Sequence, residues 1–347
     1  MPYITHFLPF LLGFASLLIA DVTRKRWVFE IKTSSVASQP VQYVPYDQLD
    51  GRPNVIVDGA AADGTVLTLS HWPHSATPAA LRADLSAEIA FRYLDDAYEH
   101  GFADLVSNNH LDEDGVAGVY ALLEPDHAQE HRELLIEAAR TGDFSCTHSR
   151  AGARLGFAIT ALIEHEGTYE AVLDVLPEVI DDLDNADDLW GDEDAQLNES
   201  AIAIGGGAIE INEQPDLDLS IVTFNRPAML HPVALYNVID GFCVLQFQPQ
   251  PRIDYRYESW VQFVSRPVRQ RRDLRPLAER LTAQDSVVWK ADAPSDLIPS
   301  CEPSGESTLS RELVERVVTD YLREAPGGWD PFDPDGREAS EGALGTI

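Results

Sequence analysis

Lysine is scarce in this 347-residue sequence, and cations as a whole are greatly outnumbered. Only three of the 25 basic residues are lysines, whereas Asp and Glu total 58, so the formal net charge is −33. A surface this negative repels nucleic-acid phosphates and anionic lipids, which argues against bulk binding of nucleic acid. Disorder requires low hydrophobicity as well as charge, and the 44% apolar content argues against it for most of the chain.

Cysteine is equally rare, with Cys146, Cys243 and Cys301 far apart in the sequence. None of them has CxxC spacing, so neither a disulfide framework nor a structural cysteine zinc site is indicated. A reducing compartment is the simplest interpretation, and we expect the protein to be cytoplasmic.

Long apolar runs are also absent, except for one near the start of the chain. Residues 7–20 (FLPFLLGFASLLIA) are apolar or small, but fourteen residues are few for a membrane-spanning helix. Basic residues follow this run instead of preceding it, unlike in a signal peptide. A buried leader, a membrane anchor with the body in the cytoplasm and a signal peptide all remain open. Membrane contact is expected only if the segment is an anchor.

The rest of the chain predicts an α/β protein with four successive regions. After a leader and linker (1–40), strand-like runs alternate with helical patterns, as in NVIVDG and TVLTLS, and predict a mainly parallel-sheet domain over 41–200. A helix start is predicted at Thr77-Pro78. The β-rich segment that follows, which includes a predicted strand over 253–264, indicates a smaller mixed α+β domain over 201–325. A disordered tail is expected over 326–347.

Acidic residues are concentrated in one segment, 174–199, which has 11 acids and no base. Paired carboxylates can hold a metal, but interleaved Leu and Val favour solvated helix faces. The three glycines at 205–207 lack the further glycine and lysine of a phosphate-binding loop, so we interpret them as a helix stop before a strand.

The sharpest chemical motif is HLDEDG, which follows a predicted strand and precedes a predicted helix. In an extended loop, alternate residues project to the same side, so His110, Asp112 and Asp114 are expected to converge. One imidazole and two carboxylates suit Mn²⁺ or Mg²⁺. A simple acidic turn that caps the next helix is the alternative. A calcium EF-hand is excluded because its twelfth position would be Ala121.

This motif, with Gly115 and the small and apolar residues after it, resembles the first motif of the DHH phosphoesterases. These enzymes use two manganese ions to hydrolyse phosphodiester or pyrophosphate bonds. The resemblance implies that His110, Asp112 and Asp114 are metal ligands, with Asp112 and Asp114 at the catalytic centre. It covers a short part of the chain. The chain as a whole, including LSHWPHSATP and YRYESWVQ, resembles an uncharacterised bacterial family with a domain of unknown function.

Later motifs of the DHH family are matched less well. The segment TGDF resembles an aspartate motif of that family, which implies that Asp143 is a further ligand. The Asp-His-His triplet is missing, because Asp126-His127 is followed by Ala128. His71, in the loop HWPH after a predicted strand, completes the ligand set if its strand is a parallel neighbour of the strand before His110. A histidine that bonds the backbone of a Pro-rich turn is the alternative.

Two further features remain open. Cys146 and His148 have the residue types of a catalytic pair, although their spacing is ordinary for a loop. Residues 252–280 hold eight arginines against four acids, a local reversal of charge that offers a place for an anionic substrate. DHH enzymes carry substrate-binding residues on a second domain, so Arg256 is the candidate residue. The alternative is internal: these arginines pair with the acidic helices and hold the two domains together.

Together these patterns predict a divalent-metal-dependent phosphoesterase-like hydrolase acting on a small phosphodiester or pyrophosphate. The expected cofactor is Mn²⁺ or Mg²⁺, and the expected partner is a small phosphorylated ligand. The other hypothesis is a catalytically degenerate protein of the same fold that binds or regulates without turnover. The sequence gives no indication of the oligomeric state.

Overall fold

The first half of the protein is built on a four-stranded sheet in which all strands are parallel. In a computed structural model the described residues are 41–96, 99–267 and 269–335. The strands are β1 (Gln42–Tyr43), β2 (Asn54–Val57), β3 (Thr65–Leu69) and β4 (Leu105–Ser107). Their order is β1-β4-β2-β3. Because β2 is an inner strand, all four of its residues are buried.

Helices complete this half and form its main core with the sheet. They are α1 (Ser86–Asp95), α2 (Glu113–Leu123), α3 (Pro125–Glu130), α4 (Arg132–Phe144), α5 (Arg150–Glu166), α6 (Tyr169–Asp181) and α7 (Asp187–Gly205). Side-chain caps at Asp112, Ser149 and Thr168 accept hydrogen bonds from the first turns of α2, α5 and α6. Each of these helices therefore begins directly after a polar residue that caps its first turn.

The second half contains a six-stranded mixed sheet. Its strands are β5 (Ile209–Gln214), β6 (Leu219–Phe224), β7 (Cys243–Phe247), β8 (Pro251–Tyr255), β9 (Trp289–Ala291) and β10 (Ser300–Pro303). Their order is β5-β6-β7-β8-β10-β9, with β6 and β7 parallel and the other pairs antiparallel. The helices of this half are α8 (Pro232–Tyr236), α9 (Arg275–Thr282) and α10 (Arg311–Glu324).

The predicted α/β class, with a parallel sheet first and a mixed sheet second, is confirmed. The core of the first half also takes in Val233, Ala234 and Val261 from the second half. The domain boundary near residue 200 stays a prediction. Within the described ranges no helix is both long and apolar enough to cross a membrane. The leader segment 7–20 and the end of the tail, 336–347, lie outside the described residues.

One predicted helix start is wrong. The helix expected to begin at Pro78 begins eight residues later, at Ser86. The Thr77 hydroxyl is used differently: it accepts from the Ser70 N–H at 2.9 Å and lies 2.7 Å from the Ser70 carbonyl oxygen, so it fixes the end of β3. The first turn of α1 is instead satisfied by the Asp114 carboxylate, which accepts from the backbone N–H groups of Ser86 and Ala87.

Three other expectations about the backbone need correction. The strand predicted before HLDEDG spans only the three residues Leu105–Ser107. The strand expected over 253–264 ends at Tyr255, because a 3₁₀ turn follows. Part of the tail that we expected to be disordered has defined structure, since Trp329 exchanges two backbone hydrogen bonds with Arg271.

The acidic segment lies on α6 and α7, where most of its carboxylates are exposed, in agreement with solvated helix faces. Asp194 is the exception, since Arg150 and Arg154 pair with it. The glycine run ends α7 at Gly205, and Gly207 has φ +74°, a conformation that glycine adopts readily. The helix stop is confirmed.

Candidate metal centre

Three neighbouring parallel strands deliver polar side chains to one edge of the first sheet. Asp58 follows β2 directly, His71 comes two residues after β3, and His110 lies in the loop after β4. Strands β3 and β4 are not adjacent, because β2 lies between them, so His71 reaches the cluster without the strand adjacency on which its predicted role was conditional. Asp58 is consequently the central residue of the group. The carboxyl edge of an open parallel sheet is where ligands bind in α/β proteins.

The inner part of the cluster surrounds the His71 imidazole. Its Nε2 atom lies 3.4 Å from Asp58 Oδ1, 3.8 Å from Asp114 Oδ2 and 3.4 Å from Asp143 Oδ2. The side chains of all four residues are almost completely buried. The structure thus brings together three of the predicted ligands, His71, Asp114 and Asp143, with Asp58.

The outer part of the cluster is built around His110. Its Nε2 atom lies 3.1 Å from Asp58 Oδ2 and 2.6 Å from Asp112 Oδ2. The two oxygens of Asp58 therefore face two different histidines, His71 on one side and His110 on the other. Atoms within 4.8 Å of one another form two ligand groups, Asp58-His71-Asp114 and Asp58-His110-Asp112, and Asp58 belongs to both.

The tautomer of His71 follows from its backbone contact. Its Nδ1 atom is 2.5 Å from the Asp84 carbonyl oxygen, which can only accept, so Nδ1 carries the hydrogen and Nε2 has a free lone pair. His71 Nε2 and Asp143 Oδ2 are buried without a hydrogen-bond partner, whereas Asp58 Oδ2 faces His110 Nε2 at 3.1 Å. Lone pairs that face each other in a buried space repel unless a positive charge lies between them. The alternative of a His71 side chain bonded to the backbone therefore describes its Nδ1 atom.

Asp112 and Asp114 reach the cluster by a route that differs from the extended loop we expected. Asp112 is the N-cap of α2 and accepts from the Gly115 N–H at 2.9 Å, while Asp114 is in the first turn of the helix. The helix-capping alternative therefore holds for Oδ1 of Asp112, and Oδ2 remains directed at His110. Asp114 accepts one backbone N–H on each oxygen, both at 2.7 Å, which fixes its orientation.

Asp143 lies in the last turn of α4. Close packing of α4 against α2 carries it to the site. A Cβ at Gly142 would overlap the Glu113 side chain, so a glycine is needed beside Asp143 for this approach.

Electrostatics in the cluster reflect burial of like charges. Burial, with the negative charges of Asp112 and Asp114, raises the pKa of Asp58 to about 6. Burial likewise raises the pKa of Asp114 to about 7 and the pKa of Asp143 well above its ordinary value. Burial opposes protonation of His110, but hydrogen bonds to Asp112 and Asp58 outweigh it and raise the pKa of His110 to about 10. Carboxylates that repel one another in this way favour a bound cation.

The cluster opens to solvent on its outer side. The side chains of His110 and Asp112 are 30% and 29% exposed, whereas Asp58 is 1% exposed. Aromatic rings border this side: the ring centroid of Trp72 is 4.9 Å from that of His110 and 5.5 Å from that of Trp260. A small ligand can therefore reach the outer ligand group without unfolding the inner one.

Two uncharged donors also lie at the cluster without partners. The Tyr169 hydroxyl and the Asn108 amide nitrogen are buried and unbonded, and a Cβ at Gly115 would overlap both. Tyr257, from the second half, has its ring centroid 6.0 Å from that of His71. Burial, with the charges of Asp143 and Asp58, raises the pKa of the Tyr257 hydroxyl. The site is thus surrounded by neutral hydroxyl and amide groups.

Sequence reasoning missed Asp58 and Tyr257. The signal for Asp58 was present, since NVIVDG places an aspartate directly after a buried strand, the same position that drew attention to the His110 loop. Tyr257 lies in YRYESW, and its approach to His71 depends on packing between distant segments, which no local pattern encodes.

Other predicted residues lie elsewhere or have internal partners. His74 is exposed and pairs with Asp335 at 3.4 Å, away from the cluster. His148 is exposed and pairs with Glu137, while burial raises the pKa of the Cys146 thiol to about 11, so the pair lacks an activated nucleophile.

Arg256 is buried and has structural partners. It donates to Glu258 and to the Ile239 carbonyl oxygen, and its guanidinium lies 4.5 Å from the Tyr236 ring centroid. Its predicted role in substrate binding stays a prediction, and an anion would have to compete with Glu258. Among the arginines of 252–280, Arg266 pairs with Asp218 and several others pair nearby, in agreement with internal pairing. The acids that they pair with lie in the second half and not on α6 or α7.

The fold and this cluster define an α/β protein with a buried carboxylate–histidine centre at the carboxyl edge of a parallel sheet. The chain belongs to the Family of unknown function (DUF6687), whose family model matches residues 39–333. The expected membership of a family with a domain of unknown function is confirmed. Neither the curated proteins nor the solved structures gave a significant match to the chain. The resemblance to DHH phosphoesterases stays a prediction.

Proposed function

We propose that the protein is a divalent-metal-dependent hydrolase of the phosphoesterase type, and that Asp58 bridges two cations of the Mn²⁺ or Mg²⁺ class. The observation that carries this proposal is the convergence of three buried carboxylates on His71, where the acceptor atoms His71 Nε2 and Asp143 Oδ2 have no hydrogen-bond partner. Such atoms cost free energy when buried alone, and a cation would satisfy all of them.

The donor set supports a hard cation. His71, Asp114 and Asp143 would hold the inner ion, and His110 and Asp112 the outer ion, with Asp58 between them. Four carboxylates against two imidazoles, with no cysteine among them, suit Mn²⁺ or Mg²⁺ better than a soft metal. When bound, such ions activate water and polarise a phosphoryl oxygen.

Neighbouring groups would keep these ligands in place. The Asp84 carbonyl fixes the His71 ring, and the N–H groups of Ser86 and Ala87 fix the Asp114 carboxylate. The Ser86 hydroxyl donates to Asp58 at 2.7 Å. Contacts of this kind orient metal ligands and raise affinity.

The DHH resemblance gains support from residues outside its first motif. That family's Asp-His-His triplet is missing here, but Asp58 and His71 supply a carboxylate and an imidazole from two other strands. The first motif contributes His110, Asp112 and Asp114 to the same cluster. A relative with a rearranged ligand set is therefore the interpretation that we propose.

A small phosphodiester or pyrophosphate is the proposed substrate class. The opening at His110 and Asp112 admits small ligands, while the net charge of −33 opposes a long polyanion. Tyr169 and Asn108 have an unbonded hydroxyl and an unbonded amide N–H that can donate hydrogen bonds to a phosphate oxygen without adding charge.

The test is hydrolysis of bis(p-nitrophenyl) phosphate, pyrophosphate and short oligonucleotides with added Mn²⁺. We compare wild type, Asp112→Asn and the control Asp104→Asn, which changes an exposed carboxylate just before β4, at the opposite end of that strand. The proposal predicts turnover by wild type and Asp104→Asn and a loss of at least about 100-fold in Asp112→Asn. Equal turnover by all three would contradict it.

The alternative, a binding or regulatory protein of the same fold, predicts a different result. It expects Mn²⁺ to bind to wild type and weakly to Asp112→Asn, with no turnover of any of the three substrates. Calorimetry beside the activity assay separates the two functions.

A further inference from the structure

A second group of metal-ligand side chains lies away from the candidate centre. His127 and His131 are four residues apart, on α3 and at its end, so their rings lie on the same side with centroids 4.7 Å apart. Asp181, the last residue of α6, completes the group. Sequence reasoning met His127 only as part of an incomplete triplet.

The geometry of the group is close to that of a tetrahedral site. Asp181 Oδ1 is 3.1 Å from His127 Nε2 and 3.7 Å from His131 Nε2, and the three atoms lie within 4.8 Å of one another. Ligands of a tetrahedral zinc ion at about 2.0–2.1 Å are about 3.3 Å apart, so small side-chain rotations suffice. The two histidine side chains are 27% and 28% exposed, which leaves the fourth position open to water.

A buried phenol orients one of the ligands. The Tyr120 hydroxyl on α2 lies 2.5 Å from His127 Nδ1. When Nδ1 donates to this oxygen, the lone pair of His127 is on Nε2, the atom that faces Asp181. An outer partner on the second ring nitrogen is the usual arrangement for histidine metal ligands.

The two clusters are joined by the same pair of helices. Helix α2 begins at Asp112 and α6 begins beside it, since a Cβ at Gly115 would overlap the Tyr169 hydroxyl. At the other end, α2 leads after one residue into α3, and α6 ends at Asp181. An ion there would link the far ends of two helices that begin at the candidate centre.

We propose that His127, His131 and Asp181 form a separate zinc-type site that ties α3 to the end of α6. Two imidazoles and one carboxylate suit Zn²⁺ better than Mn²⁺, which distinguishes this site from the carboxylate-rich centre. The site does not depend on the hydrolase proposal, because no residue is shared between the two.

The experiment is calorimetric titration of the full chain with Zn²⁺, with Co²⁺ absorption as a second readout. Asp58→Asn serves as the background, so that binding at the other centre is weakened. We compare Asp181→Asn and His131→Gln with the control Asp174→Asn, which removes the same charge from an exposed position on α6. Because Asp181 is exposed, its substitution is compatible with folding, and circular dichroism verifies this.

The proposal predicts one Zn²⁺ per chain and a tetrahedral Co²⁺ spectrum in the background protein and in the control. Asp181→Asn and His131→Gln should each weaken Zn²⁺ binding at least about tenfold, as loss of one of three ligands does. Failure to bind one Zn²⁺, or affinities in both variants within twofold of the control, would overturn the proposal.

Discussion

Buried charge is treated in opposite ways at two places in the molecule, at Arg271 in the second half and at the cluster around His71 in the first. In the second half, Arg271 is fully buried and all five guanidinium hydrogens have acceptors, which are four backbone carbonyls and the Ser259 hydroxyl. In the first half, the side chains of His71 and Asp143 are almost completely buried, yet His71 Nε2 and Asp143 Oδ2 have no hydrogen-bond partner.

The difference separates a structural charge from a functional one. A buried ion whose hydrogen bonds are complete stabilises the fold around it, and its removal leaves unpaired groups. A buried group whose acceptor atoms lack hydrogen-bond donors lowers the stability of the fold until a ligand binds. Such a loss of stability is typical of functional sites. The predictions below test this contrast from the largest effect to the smallest.

The largest change in stability is expected at Arg271, whose hydrogen bonds are complete. Arg271→Met should lower the free energy of unfolding by about 3–5 kcal/mol, because five acceptors lose their donors in a buried environment. Urea denaturation measures this. The control is Arg323→Met on α10, an exposed arginine, for which we expect a change within about 0.5 kcal/mol. Similar small effects for both would show that the Arg271 network is not structural.

At the cluster around His71, a substitution should change the free energy of unfolding in the opposite direction. In protein freed of metal with EDTA, Asp143→Asn should raise the free energy of unfolding by about 1–2 kcal/mol, because it removes one of several buried like charges. Asp104→Asn, at an exposed position, should leave stability nearly unchanged. With saturating Mn²⁺ we expect wild type to be more stable than Asp143→Asn, because bound Mn²⁺ stabilises the wild-type protein. If Asp143→Asn destabilises the metal-free protein, the proposed difference between Arg271 and the cluster around His71 is wrong.

The same contrast predicts a pH dependence. Folding raises the pKa of Asp58 to about 6 and of Asp114 to about 7, so the folded metal-free protein binds more protons than the unfolded chain above about pH 4. The raised pKa of His110 adds stability below about pH 6.5 that is lost as pH rises toward about 10. Both effects make Tm in EDTA lower at pH 8 than at pH 5. A higher Tm at pH 8 would contradict the assignment.

The smallest effect concerns the reactivity of Cys146, which follows α4 and interacts electrostatically with Glu258. Burial and Glu258 raise the pKa of its thiol to about 11, so roughly 0.1% is thiolate at pH 8, against about a quarter for a thiol of pKa 8.5. Iodoacetamide should therefore label Cys146 at least about tenfold more slowly than free cysteine, and Cys146→Ser should abolish that label. Labelling at the rate of free cysteine would show that the thiol is activated.

The sequence predicted the fold class and most of the cluster because local patterns encode them. Strands and helices alternate visibly in the first half, and His110, Asp112 and Asp114 stand at a strand–helix junction. The order of the strands is not local, so no motif predicted that β2 lies between β3 and β4 and puts Asp58 at the centre of the cluster. The start of α1 at Ser86 was not predictable either, because its cap comes from Asp114, a residue 28 positions away.

The most direct test of the bridging role of Asp58 is the number of Mn²⁺ ions bound per chain, with paramagnetic resonance to detect coupling between them. The Asp181→Asn background keeps the second cluster out of the titration. We predict two coupled ions in this protein and in its Asp104→Asn control, and loss of the coupled pair in Asp58→Asn. Two coupled ions in Asp58→Asn, or no bound Mn²⁺ in the unsubstituted centre, would contradict the account.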